Sequence, residues 1–458
     1  MFDSTFWFKA FELLASLSIL VFVHELGHFM WARFFKVGVE KFYLFFDAYD
    51  FALVRWNKQG LHFFDWIHLP RLVNPSETEY GIGWVPLGGY CAIVGMVDET
   101  HNSEQADMDR PDAFVKQGKF AQFMIMVGGV LNNVILAVII YIGMAWHWGK
   151  DVLEIENLPY GVEYSALAKE IGFQDGDMIV AFDGERVTDF NSIGNHLLLA
   201  NDVTVRRSGG EVTFALPDTL GTHFLKEKDI MSFLSLRQPM VVADLLADGP
   251  AARAALQAGD SIVMVDSVLT PYFADVTSQL KLHAGDSVRI GYYRGDSLCV
   301  ADVLLTSDGK LGIYSKSLIG PEHLTHIDFT LAEAIPAGLQ QGWTMLYNYV
   351  RQFKLVFTKE GAKELGGFGS MGSIFPEKWI WKAFWGLTAF ISVALAFMNI
   401  LPIPALDGGH IMILIIEAII RRPLSNKLKD RLQYIGFGFI VLLMVAVNAN
   451  DIIKIGRA

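Results

Sequence analysis

Cysteine is nearly absent: Cys91 and Cys299 are the only two in 458 residues. They lie far apart with no metal-ligand spacing. That excludes a disulfide scaffold or a thiolate zinc module, and both thiols are expected to be free. Charge is also scarce, at 19% against 52% apolar residues. With a mean hydropathy of +0.34, the chain is too apolar for an ordinary soluble protein and too charged for a pure transporter bundle. A few membrane spans with soluble modules fit best. Basic excess is missing as well. The net charge is −12, and residues 151–310 account for all of it, with 24 acidic against 12 basic side chains. That balance argues against a nucleic-acid partner. No cleavable leader is expected, because the first apolar run carries the residues on which the chemistry rests.

What is present begins with His24-Glu25-Leu26-Gly27-His28, set inside the apolar run Leu17 to Trp31. On a helix, positions i and i+4 share a face. Both imidazoles can then reach one zinc ion, with Glu25 beside them to handle a proton of water. Ionisable residues at membrane depth are costly and usually functional. A catalytic zinc site needs a third protein ligand and an open position. Asp407 is the strongest candidate, in Asn399-Ile-Leu-Pro402-Ile-Pro404-Ala-Leu-Asp407-Gly408-Gly409-His410. The prolines stop or kink a helix there, and the double glycine permits close approach of another segment. Asn399 offers an amide donor for a substrate carbonyl or its developing oxyanion. His410 is the alternative ligand.

Four stretches are candidate spans: about Phe6–Phe29, Phe120–Trp146, Ala383–Leu401 and Ile435–Val447. Arg421, Arg422, Lys427, Lys429 and Arg431 crowd the link between the last two, and a short basic link prefers the cytoplasm. Both termini and the acidic central region then lie outside. Residues 80–97, rich in glycine with apolar alternation, read as short strands and turns, either dipping into the membrane or forming a plain cytoplasmic hairpin. The central region repeats itself. Gly172-Phe-Gln-Asp-Gly-Asp177 through Asp183-Gly184 is echoed by Leu256-Gln-Ala-Gly-Asp260 through Asp266-Ser267. Each copy turns at a glycine, enters a strand and turns again at an aspartate, and both resemble PDZ domains. The expected fold is a mixed membrane protein: four transmembrane helices forming a zinc protease core, a membrane-associated β-hairpin region and two tandem PDZ-like α+β domains. The expected divisions are 1–150 (two spans), 151–236 and 237–310 (the two modules), 311–382 (an amphipathic and glycine-rich connection) and 383–458 (two spans).

The pairing of His24-Glu25-Leu26-Gly27-His28 with Asn399-x-x-Pro402-x-Pro404-x-Leu406-Asp407-Gly408 resembles the site-2 protease family of intramembrane zinc metalloproteases. Gly83-Trp-Val-Pro-Leu-Gly-Gly-Tyr90 is similar to that family's re-entrant β segment, Val127-Gly-Gly-Val-Leu-Asn-Asn133 to its second-span stretch, and Gly369-Ser-Met-Gly-Ser-Ile-Phe375 to its glycine-rich loop. Tandem PDZ-like modules place it nearest the bacterial envelope type. One departure is Gly128-Gly129, where relatives often have Gly-Pro.

The resemblance implies zinc held by His24, His28 and Asp407, with Glu25 and Asn399 catalytic. Leu87, Gly88, Gly89 and Tyr90 would position the substrate as an extended strand. It also implies a bacterial inner-membrane location with the modules periplasmic. The implied partners are single-span membrane proteins trimmed beforehand, of the anti-sigma-factor type or signal-peptide remnants, with peptide or trimmed tails at the modules. The competing reading is a membrane-anchored PDZ scaffold whose zinc is structural, closed by four protein ligands, or absent.

Overall fold

A computed structural model describes residues 4–96, 109–158, 160–207, 209–227, 233–246, 248–316, 323–358, 361 and 365–455. The chain forms two compact units, Met1–Gly149 with Asp328–Ala458, and Lys150–Ile327.

The first unit is built on helices α1 (Ser4–Phe34), α2 (Lys119–Trp148), α3 (Leu331–Phe353), α4 (Phe368–Ser373), α5 (Trp381–Ile400), α6 (Asp407–Ile420) and α7 (Asn426–Ile455). Among the described residues α1, α2, α5 and α7 are long and apolar enough to cross a bilayer, so the chain is a multi-pass membrane protein. α2 is central and packs on α1, α3, α5 and α6. Glycine sets the α1–α2 crossing: a Cβ on Gly128 would stand 2.7 Å from the Gly27 carbonyl oxygen. Small residues let two membrane helices approach this closely.

α7 is longer than the expected Ile435–Val447. Its polar end residues find partners instead of terminating it. Asp451 accepts from the Gly367 and Ser370 N–H groups at 3.0 and 2.8 Å, and Asn448 accepts from Phe368 N–H at 3.2 Å. The basic link before α7 is partly neutralised. Glu417, buried on α6, meets Lys119 Nζ at 2.5 Å and Lys429 Nζ at 2.7 Å, joining α2, α6 and α7. α3 was expected only as part of an amphipathic connection. It packs on α2 through Gly338 and Gly342, against Ile142 and Val138.

Between α1 and α2 lies a six-stranded sheet: β1 (Val39–Phe46), β2 (Ala52–Asn57), β3 (Gly60–Phe63), β4 (Ile67–Leu69), β5 (Glu79–Gly83) and β6 (Val85–Ile93), in the order β4-β3-β2-β5-β1-β6. The expectation of strands within 80–97 captured only β5 and β6, and Val97 lies outside the described residues. β6 is an edge. It pairs antiparallel with β1, Tyr43 opposite Tyr90 and Leu44 opposite Gly89. It runs along α1 so closely that a Cβ on Gly89 would stand 2.7 Å from Val21 Cγ1.

The second unit contains two separate apolar cores. One gathers Phe173, Phe182 and Phe233; the other gathers Ile262, Val276 and Ile290. The sequence repeat is a structural repeat. Helix Ala166–Ile171 leads through Gly172 to strand Met178–Phe182, and helix Pro250–Arg253 leads to strand Ser261–Val265. The repeated aspartates are buried arginine clamps. Arg207 Nε and Nη2 donate to Asp177 at 2.7 and 2.9 Å, and Arg294 donates to Asp260 at 2.8 Å twice. Each clamped carboxylate also accepts an N–H three residues earlier, from Gln174 or Gln257. Asp183 and Asp266 take left-handed φ values of 49° and 52° at matching turns, a conformation aspartate tolerates better than most residues.

Candidate metal centre

The helical continuity of α1 places His24 and His28 side by side, with their Nε2 atoms 3.3 Å apart. The His28 Nδ1–H donates to the Ile125 carbonyl of α2 at 2.8 Å. That bond puts the ring proton on Nδ1 and leaves the Nε2 lone pair free to face inward. From the far end of the chain, the turn after α5 delivers Asp407 at the start of α6. Its Oδ2 stands 3.1 Å from His24 Nε2 and 3.5 Å from His28 Nε2. The three donor atoms lie within 4.8 Å of one another. Pro402 and Pro404 bar helical continuation between α5 and α6. Gly408 and Gly409 then let α6 begin against the carbonyls of Ile400, Leu401 and Ile403, where a side chain would collide.

The site is tight as well as convergent. The side chains of His24, His28 and Asp407 are only 12%, 9% and 16% exposed. Asp407 Oδ2 is buried without a hydrogen-bond partner among the described residues. A buried carboxylate oxygen in that condition is costly unless a cation meets it. Two imidazole nitrogens and one carboxylate oxygen suit zinc, so the residues fit the ion. Gly129 of α2 closes the back of the cluster, because any Cβ there would run into the His28 and His24 rings. The Gly128-Gly129 departure is therefore compatible with an uninterrupted α2 and brings its backbone up to the ligands.

The open side is a cavity of about 300 Å³ lined by Glu25, Gly88, Gly89, Tyr90, Asn399 and the cluster itself. Glu25 lies beneath β6; a Cβ on Gly89 would be 3.4 Å from its Cγ. Asn399, at the end of α5, holds its Nδ2 3.4 Å from His24 Nε2. Leu87 and Gly88 are in β6, and the Leu87 side chain lies outside the described ones. Tyr90 is 8% exposed, donates its hydroxyl to Asp47 at 2.8 Å and stacks on Tyr43 and Phe46. Its side chain braces the strand, leaving the β6 backbone as the face toward the cavity. His410 lines the cavity but lies outside the donor cluster. Its Nε2 is 2.5 Å from Gln433 Nε2 of α7, which ties it to that helix.

Three residues gain roles that sequence reasoning did not assign. Gln433 also accepts the Ala405 N–H at 2.6 Å, steadying the turn before Asp407. Asn132 and Asn133 of α2 grip α1. Asn132 Nδ2 donates to the Val23 carbonyl at 3.3 Å, and the Asn133 amide stands 3.2 Å from His24 Nδ1. Adjacent amides inside an apolar span were the available signal, since polar groups there need partners.

The sequence profile of Peptidase family M50 matches residues 12–64 and 67–443. The chain is 25% identical over 463 residues to a "Putative zinc metalloprotease" of Neisseria meningitidis, covering 95% of this chain and 97% of that one. It is 26% identical over 475 residues to a protein of the same name from Vibrio cholerae, covering 96% and 97%. It is 24% identical over 472 residues to the "Regulator of sigma E protease" of Haemophilus influenzae, again covering 96% and 97%. Among solved structures, a PDZ domain of a Listeria monocytogenes protein is 29% identical over 17% of this chain, with a TM-score of 0.16. With a His-His-Asp donor cluster inside a matched stretch that covers most of its length, the chain belongs to peptidase family M50 and is a zinc metallopeptidase of the membrane.

Proposed function

We propose that the enzyme cleaves the membrane segments of single-span proteins within the bilayer. The observation that carries this reading is the donor cluster itself. Its ligands come from a helix long and apolar enough to span the membrane and from the turn after a second such helix, and its open side faces an edge strand. His24, His28 and Asp407 would hold the zinc. Bound there, the ion supplies Lewis acidity toward a carbonyl and toward water. Glu25 accepts a proton from the attacking water and returns one to the leaving amine. The Asn399 amide donates to the carbonyl oxygen as charge develops on it.

A helical substrate hides its carbonyls in i to i−4 hydrogen bonds, so it must unwind to react. The outer edge of β6, at Leu87 to Tyr90, offers replacement backbone hydrogen bonds where water is scarce. The Haemophilus relative's name supports an anti-sigma factor as one substrate class, with signal-peptide remnants as another, each trimmed outside beforehand. The basic residues Arg421, Arg422, Lys427 and Arg431 around the α6–α7 link support an inner-membrane orientation with that link cytoplasmic and both termini outside. The second unit is then periplasmic. Its two cores correspond to two PDZ-like modules, 151–236 and 237–310, which admit trimmed substrates or hold their tails.

The test is Glu25→Gln in the purified full-length chain with a single-span substrate. Zinc content should be retained while cleavage falls by about 10²–10⁴-fold, the range for loss of a general acid–base. Undiminished cleavage overturns the mechanism.

A further inference from the structure

The two histidines of the donor cluster are treated unequally by α2. A backbone carbonyl fixes the proton of His28 on Nδ1. His24 meets a side-chain amide instead, whose Nδ2 stands 3.2 Å from its Nδ1 while its Oδ1 is buried with no partner among the described residues. For Nε2 to ligate a metal, the ring proton of His24 must sit on Nδ1. Exchanging the amide's two ends leaves its shape unchanged. The oxygen then accepts from Nδ1–H, and the Nε2 lone pair turns to the cluster.

We propose that Asn133 is the positioning residue that selects the His24 tautomer, its amide oxygen accepting the Nδ1–H so that Nε2 faces the cluster. The inference rests on the zinc-site reading above. Asn133 is built for this. It is fully buried, its own carbonyl accepts from Ser392 of α5 at 2.8 Å, and its neighbour Asn132 grips the backbone of α1 at Val23. The amide therefore has a fixed pivot and a fixed distance to the ring. A carboxylate at this place could accept the same proton, and a hydrocarbon could not. Second-sphere partners of this kind commonly alter metal affinity by about 10–100-fold.

The experiment measures zinc affinity by chelator competition in the full-length chain for wild type, Asn133→Asp and Asn133→Leu. Thermal unfolding of each zinc-free form is followed in parallel. Asn133→Leu should bind zinc about 10–100-fold more weakly. Asn133→Asp should hold zinc at least as tightly as wild type, and the melts report that each variant folds. If Asn133→Asp loses zinc as badly as Asn133→Leu, the amide acts as a donor or as packing and the proposal is wrong. If Asn133→Leu does not fold, Asn133→Asp against wild type still decides, since donation and acceptance predict opposite signs. A wild-type chain that holds no zinc, or one whose zinc survives His24→Ala, overturns the zinc-site reading itself and is thereby distinguished from failure of the Asn133 proposal alone.

Discussion

At the scale of single residues, the metal centre is defined as much by what is missing as by its ligands. Gly129 contributes no side chain, and that is its role: a methyl group there would push the imidazoles out of register. Gly129→Ala is expected to weaken zinc binding while leaving α2 helical, since alanine is the better helix former. Zinc analysis beside circular dichroism checks this, and unchanged zinc content refutes it. His410→Ala should keep its zinc, because His410 is tied to Gln433 and lies outside the cluster.

The ligand pair was legible in the sequence because helical spacing is a local rule. Asp407 was legible because a carboxylate beside two prolines near membrane depth needs a partner. Asn133 and Gly129 were not assigned roles. Their importance depends on how α2 lies across α1, which no local pattern in either helix encodes. His410 stayed open as an alternative ligand for the same reason, its partner Gln433 lying on another helix.

At the scale of elements, β6 and the repeated aspartate clamps invite different tests. Gly89 allows β6 to lie between Tyr43 and Val21, with a notional Cβ 2.7 Å from both the Tyr43 carbonyl oxygen and Val21 Cγ1. Gly89→Ala should displace the strand from α1. Cleavage should then fall while zinc content stays at the wild-type level; loss of both would assign Gly89 to the metal centre instead.

The second module carries an acid-sensitive clamp. Burial alone would raise the Asp260 pKa, but the Arg294 guanidinium and the Gln257 N–H bind the ionised form and leave it below the usual carboxylate value. The folded state thus binds this proton less readily than the unfolded state. The clamp's stabilisation is present above the unfolded value of about 3.9 and is lost as pH falls through the folded one. Arg294 is over a third exposed, so solvent screening keeps the effect modest. Protection from hydrogen exchange across residues 240–311, taken relative to the intrinsic rate at each pH, should fall on acidification from pH 6 to pH 3, and less so in Asp260→Asn. An equal fall in both would show that the clamp is not the sensor.

The four spanning helices followed directly from apolar length, whereas the bundle's other helices went unread and the sheet was half seen. Residues 80–97 had glycine and alternation to mark strands. The aromatic strand β1 was overlooked because its partners, β5 and β6, are non-local; the hairpins after it pair locally and were simply not read.

At the scale of the whole molecule, the chain alternates between apolar bundle and acidic soluble unit. If the Lys150–Ile327 unit acts as a size filter, deleting it and joining Gly149 to Asp328 through a flexible linker should make untrimmed substrates cleavable. Trimmed substrates should be cut as before, with zinc content reporting that the bundle survives. Loss of cleavage of trimmed substrates by a zinc-loaded deletion would assign the unit to recruitment. Single cysteines placed at exposed Lys58 and Asp296, in a background lacking Cys91 and Cys299, should react with impermeant reagents from opposite sides of the membrane. Labelling from the same side would reverse the proposed orientation.

The distance along the chain between the cluster's members has a consequence for biosynthesis. His24 and His28 emerge from the ribosome early, and Asp407 only 379 residues after His28. A nascent or truncated chain holds two imidazoles and a glutamate but no third ligand. On the proposed ligand set, the order of synthesis keeps the peptidase inert until the turn after α5 has been made.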